Sequence, residues 1–155
     1  MMAAQKILVG STIQIDLSNA VVCYGQVVSK AEIAFFNYFG KPKSAEAMSE
    51  IYSRPVLFVI SVMNSAIKSG RWPVVDRTEL SEELKRPRNY FIQDKITKQI
   101  SIYKSDDGSM RPAGIAEIDG LECAAVWDAE HVEDRLRDHH MGQKNVWTEQ
   151  LKPVS

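Results

Sequence analysis

Three histidines and two aspartates near the end of the chain form its densest group of potential metal ligands. His131, Asp134 and Asp138 follow one another at spacings of three and four residues, which would place them on one face of a helix. Imidazole and carboxylate groups are suitable ligands for a divalent metal ion. In the alternative this face is charged and solvated, and His139 and His140 stabilise the helix end. We favour the alternative and predict no metal or other cofactor, because a His-Glu-x-x-His motif is missing.

The two cysteines and the known nucleophile motifs give no support for covalent catalysis. Cys23 and Cys123 each lie within an apolar run, and no Cys-x-x-Cys pair is present. A cysteine in an apolar strand is expected to have a raised pKa and to be inert. Gly-x-Ser-x-Gly motifs and glycine-rich phosphate loops are also missing. The sequence therefore identifies no catalytic residue and favours a protein that is not an enzyme.

Arg71, Trp72 and Pro73 follow a predicted loop and form the most distinctive candidate for a binding surface. Exposed tryptophan and arginine side chains are frequent anchors of protein interfaces. A proline beside them restricts the backbone and lowers the entropy lost on binding. Glu130 and Glu133, at the start of the last predicted helix, would supply a polar rim. In the alternative, which is the commoner environment of tryptophan, Trp72 closes over the core.

Two further arginines each have two alternative roles. Arg111 and Arg135 can pair with Glu122 or Asp128 inside the fold, or they can present a site for an anion. The sequence does not choose between these roles. The complete set of candidate binding residues is Arg71, Trp72, Arg111, Glu130 and Glu133.

Charge and hydropathy exclude several classes of partner. The 155 residues include 19 basic and 20 acidic side chains, for a net charge of −1. A general nucleic-acid-binding protein shows a basic excess, and the most basic stretch, residues 85–88, is predicted to be a solvated loop. The longest nearly apolar run, residues 56–63, is far shorter than the ~20 residues of a membrane span. The apolar stretch that ends at Gly10 is too short for a secretion signal, so we expect a cytoplasmic protein with no nucleic-acid or membrane partner.

The elements that must position these residues are predicted to form an α+β fold rich in β-strand. Short apolar patterns at residues 13–17, 21–28 and 33–39 predict an N-terminal meander, similar to an SH3-like half-barrel. Gly25 interrupts the second strand, which indicates a bulge or a close backbone approach. The apolar run at residues 56–63 is predicted as a central strand that is buried on both faces.

The second half of the chain adds a mixed antiparallel sheet and a C-terminal helix. Residues 90–92 and 100–103 flank a polar stretch, as in a hairpin, and residues 122–127 are predicted as a further strand. Asp128 is suited to the N-cap of the last helix and Gly142 to its C-terminal end. Three more short helices are predicted at residues 44–52, at residues 78–84 with Thr78 as the N-cap, and at residues 112–118.

The chain shows no internal repeat, low-complexity segment or linker. We therefore predict one domain over residues 1–155. Its structured core covers about residues 7–141, and residues 142–155 form a tail that docks on the body through Trp147 and Leu151.

Seven blocks of sequence, taken in order, resemble a known family. They are Gly10-Ser11-Thr12-Ile13-Gln14-Ile15, Tyr24-Gly25-Gln26-Val27-Val28, Val56-Leu57-Phe58-Val59, Gly70-Arg71-Trp72-Pro73-Val74-Val75, Pro87-Arg88-Asn89-Tyr90-Phe91-Ile92-Gln93-Asp94, Gly120-Leu121-Glu122-Cys123-Ala124-Ala125-Val126-Trp127 and His131-Val132-Glu133-Asp134-Arg135-Leu136. Over about residues 7–137 this pattern resembles bacterial immunity protein family 26, whose members are encoded beside polymorphic toxins.

The resemblance implies a protein that binds a cognate toxin and neutralises it. That function needs a complementary surface and no catalytic residues. Some members of the family carry the label of a small phosphotriesterase, so the alternative is a metal-assisted hydrolase. A two-metal hydrolase needs several histidine and carboxylate ligands, and three histidines in one short window make such a site hard to build. A ligand-binding domain without a toxin partner is a third hypothesis, and the sequence indicates neither the toxin nor the oligomeric state.

Overall fold

The computed structural model describes residues 5–154 and contains two β-sheets with short helices packed against them. This architecture confirms the predicted α+β class. The strands are β1 (Ser11–Asp16), β2 (Val22–Val27), β3 (Glu32–Phe36), β4 (Val56–Val62), β5 (Val74–Arg77), β6 (Asn89–Gln93), β7 (Ile100–Lys104), β8 (Met110–Ala113), β9 (Glu122–Cys123) and β10 (Val126–Trp127). The α-helices are α1 (Met48–Tyr52), α2 (Ser65–Lys68), α3 (Glu82–Lys85), α4 (Ala129–Met141) and α5 (Val146–Gln150), and two 3-10 helices cover Ala45–Ala47 and Ile115–Ile118.

The larger sheet has the strand order β10-β4-β3-β2-β1-β5. Its strands β1 to β4 pair as antiparallel neighbours, which confirms the predicted meander and adds β4 to it. Gly25 lies in the middle of this sheet, opposite Ile13 and Phe35. A Cβ atom at this position would lie 2.9 Å from the Cγ2 of Ile33. Of the two roles predicted for Gly25, the close approach is therefore the correct one.

Strand β4 is fully buried on one face only, so the prediction of two buried faces is wrong. Phe58, Ile60 and Val62 lie in the main core, whereas the side chains that alternate with them are half-buried. On that second face Val59 packs near Leu84 of the one-turn helix α3. So short a helix cannot cover the whole strand.

The main core lies between the larger sheet and the helices α2 and α4. Its largest fully buried side chain is Trp72, which meets the ring of Phe35 edge-on at a centroid distance of 5.9 Å. Val132 and Leu136 of α4 are also fully buried here, as their spacing of four residues requires. The opposite face of the sheet is covered by a smaller cluster of Val22, Tyr24, Phe36, Tyr38, Met48 and Ile51.

The smaller sheet has the order β8-β7-β6-β9, and its β6–β7 pair confirms the predicted hairpin. Residues 112–118 do not form the predicted helix, because residues 110–113 pair with β7 as β8 and only the 3-10 turn Ile115–Ile118 follows. Residues 122–127 are two strands rather than one. Strand β9 runs parallel to β6, and β10 runs parallel to β4, so this segment crosses from the smaller sheet to the larger one.

Helix ends follow the predicted chemistry in one helix and depart from it in another. Gly142 ends α4 in the left-handed conformation (φ 69°), as predicted, and Asp128 occupies the N-cap position, although its side chain makes no capping hydrogen bond there. Helix α3 is capped by Ser81, whose hydroxyl accepts from the N–H of Leu84. Thr78 is not the cap, because its N–H bonds to the carbonyl of Gly10 and continues the sheet. None of the helices within residues 5–154 is long and apolar enough to cross a bilayer.

Candidate functional site

The loop that carries Arg71, Trp72 and Pro73 joins α2 to β5 and packs against α4. Trp72 is 0% exposed, and its backbone N–H bonds to the carbonyl of Ala66 (3.0 Å). The structure therefore realises the alternative in which Trp72 closes over the core. In this conformation Trp72 is buried and cannot serve as an exposed anchor of a protein interface.

Glu133 is the centre of the contacts between this loop and helix α4. Its carboxylate accepts hydrogen bonds from the Nε of Arg71 (2.9 Å), the Nη2 of Arg71 (2.8 Å) and the indole Nε1 of Trp72 (2.9 Å). Arg137, one helical turn further along α4, adds an ion pair at 3.7 Å. Glu133 is only 6% exposed, so it links the loop to the helix from inside and does not form the predicted polar rim.

The protonation state of Glu133 follows from these contacts. Burial alone raises the pKa of Glu133, but the hydrogen bonds from Arg71 and Trp72 outweigh it and hold the pKa below its ordinary value. The charged form is therefore the one that the fold stabilises. Above this buried carboxylate, Arg71 and Glu130 lie at the surface, with their charged groups 3.9 Å apart.

The fifth candidate, Arg111, lies elsewhere in the fold. It belongs to β8 of the smaller sheet, is 59% exposed and pairs with Glu117 at 3.3 Å. Its companion Arg135 pairs with Glu122 through two bonds of 2.9 and 2.8 Å, and its guanidinium lies 3.6 Å from the ring centroid of Phe58. Both arginines thus form ion pairs within the fold, and Arg71, Trp72, Glu130 and Glu133 converge without Arg111.

The three alternative metal ligands all contact the C-terminal tail. His131 stacks on Trp147 with ring centroids 3.6 Å apart, and Asp134 accepts a bond from the Nε1 of Trp147 (3.1 Å). Asp138 accepts a bond from the Nδ2 of Asn145 (2.9 Å). Across residues 5–154 no three His, Cys, Asp or Glu side chains lie close enough together to bind one metal ion. The spacing on the helix face therefore serves to dock α5.

The cysteines have the environments that the sequence indicates. Burial raises the pKa of Cys23 to about 12, and its thiol donates to the carbonyl of Phe36 (3.4 Å). Burial also raises the pKa of the half-buried Cys123. Neither thiol is activated as a nucleophile.

A cleft between the two sheets is the feature that the sequence does not reveal. Its volume is about 490 Å³, and it is bounded by the β2–β3 turn, β4, β6, β7 and residues 124–126. At its floor the buried Glu32 accepts bonds from the Oγ of Ser29 (2.9 Å), from the Nε of Arg88 (3.2 Å) and from the hydroxyl of Tyr90. Burial opposes the charge of Glu32, but the bonds from Arg88 and Tyr90 lower its pKa below the ordinary value.

The identity of the chain comes from comparison with known families. The family model described as Immunity protein 26 matches residues 9–102, which is more than half of the chain. This chain belongs to the Immunity protein 26 family. No curated protein and no solved structure matches it.

In this Immunity protein 26 member, the matched residues contain the Arg71–Trp72 loop and the Glu32 cluster, whereas helix α4 follows them. The sequence predicts a solvated loop at residues 85–88; residues 85–87 are exposed, but the prediction is wrong for Arg88, because its guanidinium binds the buried Glu32. These two residues are 56 positions apart, so no local spacing connects them. The sequence signal that could have drawn attention to Glu32 is its position, because it is a charged residue at the start of an apolar and aromatic strand.

Proposed function

We propose that this chain neutralises a cognate protein toxin by binding it, without chemical turnover. Membership of the Immunity protein 26 family is the observation that carries the proposal, because it supports an immunity role. Neutralisation by binding needs a stable surface that is complementary to the toxin.

The arrangement of charged side chains supports a rigid binding protein. Glu32–Arg88 connects the two sheets, Glu122–Arg135 connects β9 to α4, and Glu133–Arg71 connects α4 to the loop before β5. A surface held by such cross-links loses little conformational entropy when a partner binds. These three ion pairs therefore hold neighbouring elements of the fold in fixed positions.

The proposal is tested with a candidate toxin, namely a protein that is encoded beside this chain and that stops the growth of cells producing it. We expect co-expression of the chain to restore growth to cells that produce this toxin, and we expect the purified proteins to form a complex. In a titration, toxin activity should fall to zero at a fixed molar ratio, because each bound chain covers one toxin surface. The endpoint should not change with incubation time.

Two results would contradict the proposal in different ways. Full toxin activity at every molar ratio would show that the chain does not neutralise this protein. Inactivation that proceeds with time at a small fraction of one equivalent would show a catalytic mechanism instead. Protein that has been unfolded and aggregated by heat serves as the negative control and should not inhibit the toxin.

A further inference from the structure

The cleft between the sheets contains hydrogen-bond donors that the fold leaves unused. The exposed Lys30 and the half-buried Ser61 and Tyr103 line it, and within residues 5–154 the side chains of these three residues make no hydrogen bond or ion pair to another residue. Glu32, the other charged lining residue, is neutralised by Arg88 at 3.2 Å. The lining therefore carries one uncompensated positive charge beside two free hydroxyl groups. This combination is suited to bind a carboxylate.

One wall of the same cleft is apolar and lies at a sheet edge. Ile92, Ala124, Ala125 and Val126 form it. Val126 is 64% exposed and belongs to β10, the last strand of the larger sheet. On its other side Val126 borders a second cleft of about 240 Å³, which Trp127, His131 and Trp147 also line. Extended peptide segments can add to an exposed sheet edge, and pockets beside the edge receive their alternating side chains.

We infer that this cleft receives an extended segment of the toxin, which lies along the edge of β10 and carries an acidic side chain next to an apolar one. The acidic group binds Lys30 and the hydroxyl groups of Ser61 and Tyr103, and the apolar group covers Val126. The positive charge of Lys30 is the reason for the acidic side chain in the toxin segment, and the exposure of Val126 is the reason for the apolar one. This inference rests on the proposed function and names the surface through which it acts.

The test measures binding of the candidate toxin used to test the proposed function, to the wild type and to four variants. Lys30→Glu reverses the charge of the cleft, and Val126→Glu places a charge on its apolar edge. Ile96→Glu is the matched control, because Ile96 is 91% exposed in a turn and lines neither cleft. Glu130→Ala probes the competing surface beside Arg71. Val126→Ala can replace Val126→Glu if the latter lowers the denaturant midpoint, since it removes apolar surface at the same edge without adding a charge.

We expect Lys30→Glu and Val126→Glu to weaken toxin binding at least tenfold while Ile96→Glu binds as the wild type does. Equal affinity in all variants, or a loss in Glu130→Ala alone, would overturn the inference and leave the proposed function standing. A wild-type dimer in gel filtration that Val126→Glu converts to a monomer would also overturn it, because a second copy would then occupy the cleft.

Failure of the wild type to bind the toxin would contradict the proposed function. A second experiment then tests separately whether the cleft binds an acidic peptide segment. A random dodecapeptide display library is selected on the wild-type chain. Selected peptides that contain an acidic residue and lose binding to Lys30→Glu support an acid-binding groove. Peptides that bind Lys30→Glu equally well, or no selected peptide at all, overturn it.

Discussion

At the scale of single residues, the binding role expected for one side chain is replaced by a structural one. Trp72 is enclosed by the core, and its indole N–H bonds to the buried carboxylate of Glu133 at 2.9 Å. Arg71 binds the same carboxylate from the solvent side. These contacts make the loop before β5 part of the core, so substitutions here act first on stability.

We therefore expect Trp72→Ala to lower the free energy of unfolding by about 3–5 kcal/mol, the usual cost of truncating a buried aromatic side chain. Trp72→Phe keeps most of the ring volume but removes the bond to Glu133, and should cost about 1–3 kcal/mol. Denaturant midpoints at neutral pH measure both values. A Trp72→Ala protein within about 0.5 kcal/mol of the wild type would place Trp72 outside the core.

The lowered pKa values of Glu32 and Glu133 predict a loss of stability in acid. The unfolded chain takes up protons near pH 4.5, the ordinary pKa of glutamate, whereas the folded chain binds them only at lower pH. The extra stability is therefore present above pH 4.5 and disappears as the pH falls through the folded pKa. We expect the denaturant midpoint to fall from pH 5 to pH 3, and to fall less steeply in Glu133→Gln. An equal slope in both proteins would contradict this assignment.

At the scale of elements, the C-terminal tail is held by the face of α4 that carries His131, Asp134 and Asp138. Trp147 supplies two of the contacts, a stacked ring and an N–H donor. Further along, the side chain of Gln93 makes two bonds to the backbone of Val154, at 2.6 and 2.9 Å. The tail is thus attached to both α4 and the smaller sheet.

We expect Trp147→Ala to release α5 while leaving the sheets folded. The amide hydrogens of residues 146–150 should exchange faster, because few other buried contacts hold this helix. Val146→Ala is the matched control, since Val146 is 55% exposed in the same helix. Hydrogen exchange measured by mass spectrometry reports the change. Unaltered protection of α5 in Trp147→Ala would show that the helix is held from elsewhere.

At the scale of the whole molecule, the segment of residues 122–127 joins the two sheets and leaves two clefts beside it. Strands β9 and β10 each contribute two residues, one pair to each sheet. Ala125 and Val126 of this segment line both clefts. The binding surface that we propose therefore lies at the junction of the two sheets.

We expect no metal-dependent phosphotriester hydrolysis above background. The imidazole and carboxylates that would bind a metal are used to dock the tail, so binding a metal would require their contacts with Trp147 and Asn145 to break. A chromogenic phosphotriester assay with and without added zinc or manganese, together with elemental analysis, tests this expectation. Multiple turnover that His131→Ala abolishes would make the hydrolase alternative the better one.

The sequence by itself determined the elements whose signals are local. The alternation of apolar residues in β1 and the paired strands of the hairpin predict their partners, because neighbours along the chain pair most easily. The glycine at position 142 and the apolar spacing of Val132 and Leu136 likewise define α4. It also singled out Arg71, Trp72, Glu130 and Glu133, which the fold brings together.

Only the tertiary structure decided what those residues do. Glu133 is a structural carboxylate and Trp72 a core residue because the loop and α4, 61 positions apart, enclose them together. The Glu32–Arg88 pair and the split of residues 122–127 between two sheets depend on how the sheets meet. Such long-range contacts leave no periodic trace in the sequence, since burial is a property of the packed chain and not of any single segment.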